Sequence, residues 1–102
     1  MAEFVHALKL TELPPGSAKT VEIGAAKIAL YNVGGQIHAT ADTCLHRGAS
    51  LGDEGSLDGK LVVCGWHGWE YDVTNGECTM NRSKKLACFE TKIDGDAIWV
   101  KV

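Results

Sequence analysis

The sequence lacks an excess of basic residues, a long apolar run and an amphipathic segment of helical period. Ten Lys and Arg residues stand against thirteen Asp and Glu residues, which gives a formal net charge of −3. This balance argues against binding to nucleic acid or to an anionic membrane surface. No apolar stretch approaches the roughly 20 residues that a membrane-spanning helix needs. The opening MAEFVHALKL has neither a basic start nor a small-residue cleavage site, so we expect no signal peptide, no membrane partner and a cytoplasmic location.

The sequence does contain a series of short segments in which apolar and polar residues alternate, separated by turns rich in glycine. A period of two is typical of strands, and Asn-Gly or Asp-Gly pairs are typical of hairpin turns. We therefore predict a single all-β domain over 1–102 with two small antiparallel sheets. The last hairpin is predicted to pair LACFETKI with DAIWVKV. Turns are predicted at Gly34–Gly35, Asp58–Gly59, Asn75–Gly76 and Asp94–Gly95.

Two short segments carry residue types that bind metals. CLHRG contains Cys44 and His46, CGWHG contains Cys64 and His67, and seventeen residues separate His46 from Cys64. Because no signal peptide is expected, a metal site is favoured over disulfides for these cysteines. Two thiolates and two imidazoles suit zinc, and they also suit a [2Fe–2S] cluster with mixed ligands. A zinc knuckle usually takes two cysteines from one loop, whereas each segment here supplies one sulfur and one nitrogen, which favours the cluster.

The pattern C-x-H, seventeen residues, C-x-x-H resembles the motif of Rieske-type [2Fe–2S] proteins. The stretches DTCLHRGASL, EGSLDGKLVVCGWHGWEYDVTNGEC and IALYNVGGQIHATAD also resemble the soluble Rieske ferredoxins, so the resemblance covers nearly the whole chain. It implies the Rieske fold, an antiparallel β-sandwich or barrel base with a small cluster-binding subdomain of two loops at approximately 43–80. It also implies one Rieske-type [2Fe–2S] cluster per chain. Cys44 and Cys64 would bind one iron, and His46 and His67 would bind the other.

The same resemblance implies an electron carrier and not an enzyme in its own right. A soluble Rieske ferredoxin would take single electrons from a flavoprotein NAD(P)H reductase. It would pass them to a terminal oxygenase of the kind that hydroxylates aromatic rings, and a monomer suits this shuttle. Two alternatives stay open. One is a small Rieske subunit of a larger reductase such as nitrite reductase, and the other is a zinc-held interaction module.

The resemblance also separates this sequence from the high-potential branch of the family. In that branch an extra cysteine in each loop forms a disulfide, and a serine and a tyrosine donate hydrogen bonds to the cluster sulfurs. Here Ala49 and Trp66 stand at the cysteine positions and Trp69 stands at the serine position, while Tyr71 matches the tyrosine. Such hydrogen bonds raise the reduction potential, so we expect a value near the low end of the Rieske range, about −150 mV.

The remaining polar and aromatic residues receive simpler interpretations. We interpret His6 and His38 as ordinary strand residues, Cys78 and Cys88 as buried thiols without an assigned role, and Trp99 as core. Four acidic residues near the two segments are expected to form a solvated rim, with electrostatic steering of basic partners as the alternative. These residues are Asp53, Glu54, Glu70 and Asp72.

Overall fold

The computed structural model describes residues 3–43, 50–64, 69–79 and 83–101, and within these ranges the chain consists mainly of short strands. The strands are β1 Phe4–Lys9, β2 Ala18–Ile23, β3 Ala26–Val33, β4 Gln36–Ala41, β5 Ser56–Asp58, β6 Leu61–Val63, β7 Glu70–Asp72, β8 Cys88–Phe89, β9 Thr91–Asp94 and β10 Ala97–Lys101. Two short helical pieces lie between them, a 3₁₀ turn at Leu10–Glu12 and the helix α1 at Leu51–Glu54. The all-β prediction is therefore confirmed.

These strands form three antiparallel sheets. The base sheet has the order β1-β10-β9, the central sheet β2-β3-β4-β8 and the loop sheet β5-β6-β7. The prediction of two sheets is wrong, and so is the prediction of one strand over LACFETKI, because β8 pairs with β4 whereas β9 pairs with β10. Glu90 lies exposed between them, and its carbonyl accepts the Lys101 N–H at 2.8 Å. The chain passes from the central sheet to the base sheet at this residue.

Glycines close the predicted hairpins. Gly34, Gly59 and Gly95 have φ values between 59° and 65°, and each lies in the turn between two paired strands. The turn after β7 leads back through an isolated bridge between Tyr71 and Cys78 and not through a regular strand. The four predicted turns are confirmed.

The central sheet lies between two apolar clusters. Successive residues of a strand point to opposite faces of its sheet. Along β3, Ile28 and Leu30 join the cluster that contains Ile98 of the base sheet, and Ala29 and Tyr31 join the other cluster. We call that other cluster the upper core. It consists of Ala29, Tyr31, Leu51, Val62, Cys64, Tyr71, Val73, Cys78 and Leu86. The loop sheet and α1 therefore rest on one face of the central sheet, and the base sheet rests on the other.

Neither helical piece within the described ranges is long. None has the length and apolar character that crossing a lipid bilayer requires.

Candidate metal centre

The first metal-binding motif lies in a segment whose two ends are held together. Thr43 and Ser50 form an antiparallel bridge on either side of residues 44–49. The Asp42 carbonyl accepts the Leu51 N–H at 2.8 Å, and the Asp42 carboxylate accepts the Gly52 N–H at 2.8 Å. Asp42 is 2% exposed, so these bonds are made away from water. The chain before the motif and the chain after it are therefore fixed to one another.

The second motif begins where β6 ends. The Cys64 N–H donates to the Trp69 carbonyl at 2.7 Å, one position beyond the antiparallel pair Val63 and Glu70. Cys64 is 2% exposed and belongs to the upper core. Strands β6 and β7 thus hold Cys64 at the end of their paired region, with its side chain in apolar surroundings.

One apolar cluster supports both motifs. Leu51, which directly follows the first motif, and Cys64 are both members of the upper core, and Trp69 packs against that core. An apolar environment next to a metal site limits solvent access and lowers the local dielectric, which are properties that tune a redox centre. Trp69 supplies part of this apolar cover, since it packs against the upper core.

Of the four predicted ligands, the structure places only Cys64. Cys44, His46 and His67 lie outside the described residues, as do Ala49 and Trp66. Within the described ranges there is no group of three His, Cys, Asp or Glu side chains that could hold a metal ion. The ligand set therefore stays a prediction. The arrangement around it fits a cluster, because Cys64 offers a soft sulfur donor from a buried position and the flanks of both motifs are fixed by paired backbone.

Three supporting residues of the site, Thr20, Asp42 and Ser50, carried no signal in the sequence pattern. Thr20 on β2 donates from its hydroxyl to the Asp42 carboxylate at 2.8 Å and lies 2.9 Å from the Ser50 hydroxyl. Both contacts join residues far apart in the chain, so local patterns of alternation and turns could not have indicated them. Ser50 has a partly local role as well, since its hydroxyl accepts the Asp53 N–H at 3.2 Å and caps α1.

The predicted acidic rim is uneven. Asp53 and Glu54 are exposed, whereas Glu70 and Asp72 are half-buried. Asp72 lies 3.3 Å from Lys60 and accepts both the N–H and the hydroxyl of Thr74. Partial burial alone would raise the pKa of Asp72. The bonds from Thr74 and the charge of Lys60 outweigh that effect and hold the pKa below its usual value. Asp72 therefore serves the local fold, and the exposed part of the rim lies at the end of α1.

Cys78 and Cys88 lie in different surroundings. Cys78 is fully buried in the upper core, as predicted, but Cys88 is exposed at the edge strand β8, and neither forms a disulfide. The prediction of two buried thiols is therefore wrong for Cys88. Its remaining contact with apolar surroundings raises the pKa of the Cys88 thiol, and the nearby charge of Lys85 offsets this only in part.

His6 and His38 lie on β1 and β4, as predicted for ordinary strand residues. The His6 ring meets the Trp99 ring edge-on with centroids 5.5 Å apart. Trp99 is only half-buried and belongs to neither apolar cluster, so its interpretation as core is wrong.

Comparison with known proteins gives one family and a consistent set of relatives. The model of the Rieske [2Fe–2S] domain matches residues 3–90. Ferredoxin CarAc of Metapseudomonas resinovorans is 38% identical over 96 residues, which cover 88% of this chain and 85% of that protein. The ferredoxin component of the p-cumate 2,3-dioxygenase system of Pseudomonas putida is 40% identical, with 100% of this chain and 96% of that protein covered.

Solved structures agree with these relatives. One chain in the complex of reduced oxygenase and oxidized ferredoxin of carbazole 1,9a-dioxygenase superposes with a TM-score of 0.85 at 33% identity, covering 95% of this chain and 91% of that one. The ferredoxin of Sphingomonas yanoikuyae B1 has a TM-score of 0.87 at 21% identity and covers 98% of this chain and 99% of that one, a likeness of fold.

Proposed function

We propose that this chain, which belongs to the Rieske [2Fe–2S] domain family, is the ferredoxin component of an oxygenase system. The observation that carries the proposal is that two relatives aligned over most of both chains are named, one as a ferredoxin and the other as the ferredoxin component of a dioxygenase system. The family match confirms the predicted Rieske fold and the predicted [2Fe–2S] cofactor. The names of the relatives confirm the prediction of an electron carrier, and the zinc-held alternative loses its support.

The ligands that we assign to the cluster are Cys44 and Cys64 on one iron and His46 and His67 on the other. The spacing of the four residues supports this assignment, and so does the buried position of Cys64 at the end of the paired strands β6 and β7. When bound, the cluster supplies a centre that gains and loses one electron. The contribution of the chain is to hold that centre in rigid, largely apolar surroundings, because surroundings that move little give electron transfer a small reorganisation energy.

Several finer statements belong to the same proposal. The chain forms a single Rieske domain over 1–102 with a cluster-binding subdomain at approximately 43–80; the loop sheet, which lies within that range, supports this division. The electron donor is a flavoprotein NAD(P)H reductase, and the acceptor is a terminal oxygenase that hydroxylates aromatic rings. The carrier works as a monomer in the cytoplasm. The complex between oxygenase and ferredoxin known for the carbazole system supports the acceptor.

The cofactor and its ligands are tested on the purified chain. We expect the dithionite-reduced protein to give a rhombic EPR signal with an average g below that of the free electron, with equal amounts of iron and sulfide. Cys64→Ser removes a proposed ligand and should abolish the signal. Cys88→Ser is the matched control, because Cys88 is exposed and forms no part of the proposed ligand set. A Cys64→Ser chain that keeps the wild-type signal would contradict the ligand assignment.

The role as carrier is tested by reconstitution. We expect the chain to be reduced by NADH through a flavoprotein reductase and to support product formation by a reduced terminal oxygenase, with the p-cumate system of Pseudomonas putida as the first choice. Omission of the chain, or its Cys64→Ser variant, should stop product formation, whereas Cys88→Ser should not. Stable co-purification with a large flavoprotein, together with failure in every oxygenase system tried, would instead favour the subunit of a larger reductase.

A further inference from the structure

A hydrogen-bonded network of three side chains connects the two ends of the first metal-binding motif. The Thr20 hydroxyl lies 2.8 Å from Asp42 Oδ1 and 2.9 Å from Ser50 Oγ. Asp42 precedes the motif and Ser50 follows it, while Thr20 belongs to β2. One hydroxyl on a neighbouring strand therefore contacts both ends of the segment that holds Cys44 and His46.

The direction of each hydrogen bond in this network is determined by the number of protons available. A carboxylate only accepts, so Thr20 gives its single hydroxyl proton to Asp42. The Ser50 hydroxyl must then donate to Thr20, and its oxygen is left to accept the Asp53 N–H at 3.2 Å. The second donor to the Asp42 carboxylate is the Gly52 N–H at 2.8 Å. Every proton has one acceptor, so the network has a single arrangement.

The surroundings of Thr20 leave little room for another arrangement. A Cβ placed on Gly52 would overlap the Thr20 hydroxyl and would lie 2.5 Å from the Thr20 backbone nitrogen. Helix α1 therefore sits directly on β2. Asp42 is 2% exposed, so its carboxylate depends on hydrogen bonds made within the protein, and Thr20 and Gly52 supply the two that the described residues show. Loss of the Thr20 hydroxyl would remove one of the two donors to this buried carboxylate that come from the described residues, and it would release Ser50.

We propose that Thr20 is a positioning residue for the cluster. Through Asp42 and Ser50 it sets the geometry of the first ligand pair. This inference rests on the proposed function, because it assumes that Cys44 and His46 are ligands. Thr20 acts through Asp42 and Ser50, which it contacts directly. It holds together Asp42 and Ser50, the two ends of the segment whose Cys44 and His46 would bind the cluster. A change at Thr20 should therefore reach the redox properties and not the fold alone.

The test compares two substitutions at Thr20 with a matched control elsewhere. Thr20→Val keeps the shape but removes the hydroxyl, and Thr20→Ser keeps the hydroxyl. Thr91→Val is the control, because Thr91 lies on β9 of the base sheet, on the opposite face of the central sheet from the upper core, and its hydroxyl donates to the Ile37 carbonyl at 2.9 Å. Reduction potential, EPR g values, the rate of cluster loss under a chelator and the urea midpoint are measured for each holoprotein.

We expect Thr20→Val to shift the potential and the g values and to lose its cluster about tenfold faster than the wild type, as the loss of a buried bond to a charged group implies. Thr20→Ser should behave like the wild type. Thr91→Val should lower the urea midpoint and leave the other three measurements unchanged. If Thr20→Val does not fold, Ser50→Ala, which removes one bond of the network to Thr20, should give the same changes on a smaller scale.

A lower urea midpoint for Thr20→Val or Ser50→Ala, with wild-type potential, g values and rate of cluster loss, would overturn the inference and leave Thr20 as a structural residue. That result would leave the proposed function intact, since the wild-type chain would still show its signal. A wild-type chain without the reduced signal would overturn the ligand assignment and this inference together.

Discussion

Gly76 lies between β7 of the loop sheet and Cys78, which forms a bridge back to Tyr71. Its replacement by alanine should be unusually destabilising. Its φ is 81°, its N–H donates to the Asp72 carbonyl at 2.6 Å, and its carbonyl accepts the Leu86 N–H at 2.8 Å. A Cβ at this position would overlap the Leu86 carbonyl oxygen and would lie 3.0 Å from Cys88 Sγ. Gly76 is therefore constrained in two ways, by its backbone conformation and by the neighbouring backbone.

The two constraints set the expected magnitude. A positive φ costs a residue with a Cβ about 1–2 kcal/mol. Overlap with a backbone oxygen, which cannot rotate away, adds about 1–3 kcal/mol of the kind measured for overpacked sites. We therefore expect Gly76→Ala to lower the free energy of unfolding by about 2–5 kcal/mol. Since Leu86 belongs to the upper core, the change should also loosen the packing beneath the metal centre.

Gly95 provides the control. Its φ is 65°, but nothing lies within 4 Å of a Cβ built there, so Gly95→Ala tests the backbone conformation alone. We expect it to cost about 1–2 kcal/mol. The assay is urea unfolding of the three holoproteins in parallel, followed by far-UV circular dichroism. With a slope of about 1–3 kcal/mol per molar urea, the difference between the variants should be roughly 1 M in midpoint. Equal midpoints for Gly76→Ala and Gly95→Ala would refute the steric part of the argument.

Two further predictions concern the dependence of stability on pH. Partial burial would raise the pKa of Asp72, but Thr74 and Lys60 outweigh it and hold that pKa below its usual value. The ionised Asp72 carboxylate therefore stabilises the fold fully above about pH 4. This stabilisation is lost as pH falls through the lower pKa of the folded state. Asp72→Asn should therefore flatten the acid side of a plot of urea midpoint against pH, and an unchanged acid limb would contradict this. Burial raises the pKa of Tyr31 far above its usual range, although its hydrogen bond with Thr40 acts in the opposite direction. Above about pH 10 the unfolded chain loses the Tyr31 proton while the folded chain keeps it, so stability falls as pH rises. Tyr31→Phe should reduce this alkaline loss and should cost about 1 kcal/mol at neutral pH; an alkaline limb as steep as that of the wild type would show that another group is responsible.

Turns and motif spacing could be predicted because they depend on few neighbouring residues. Gly34, Gly59 and Gly95 adopt the positive φ values that Gly tolerates, and each follows directly after a strand, at a turn that the sequence predicts. The two Cys/His motifs could be recognised for the same reason, since their spacing is a local property of the chain.

The sheet to which each strand belongs could not be predicted in this way. LACFETKI has the composition of one strand, yet its first part pairs with β4 and its second part with β10. Alternation describes which side chains share a face, but it does not say which strand lies alongside. Cys88 shows the consequence, because its exposure follows from the position of β8 at the edge of the central sheet and not from its residue type.

By itself, the sequence determined the family, the cofactor and the positions of the hairpin turns, since each depends on a short pattern of residues. Only the tertiary structure decided how the motifs are supported. Thr20, Asp42 and Ser50 come from three separate parts of the chain, and their hydrogen bonds exist only because the packing of α1 on β2 brings them together. Such contacts depend on packing between distant segments, which no local pattern encodes.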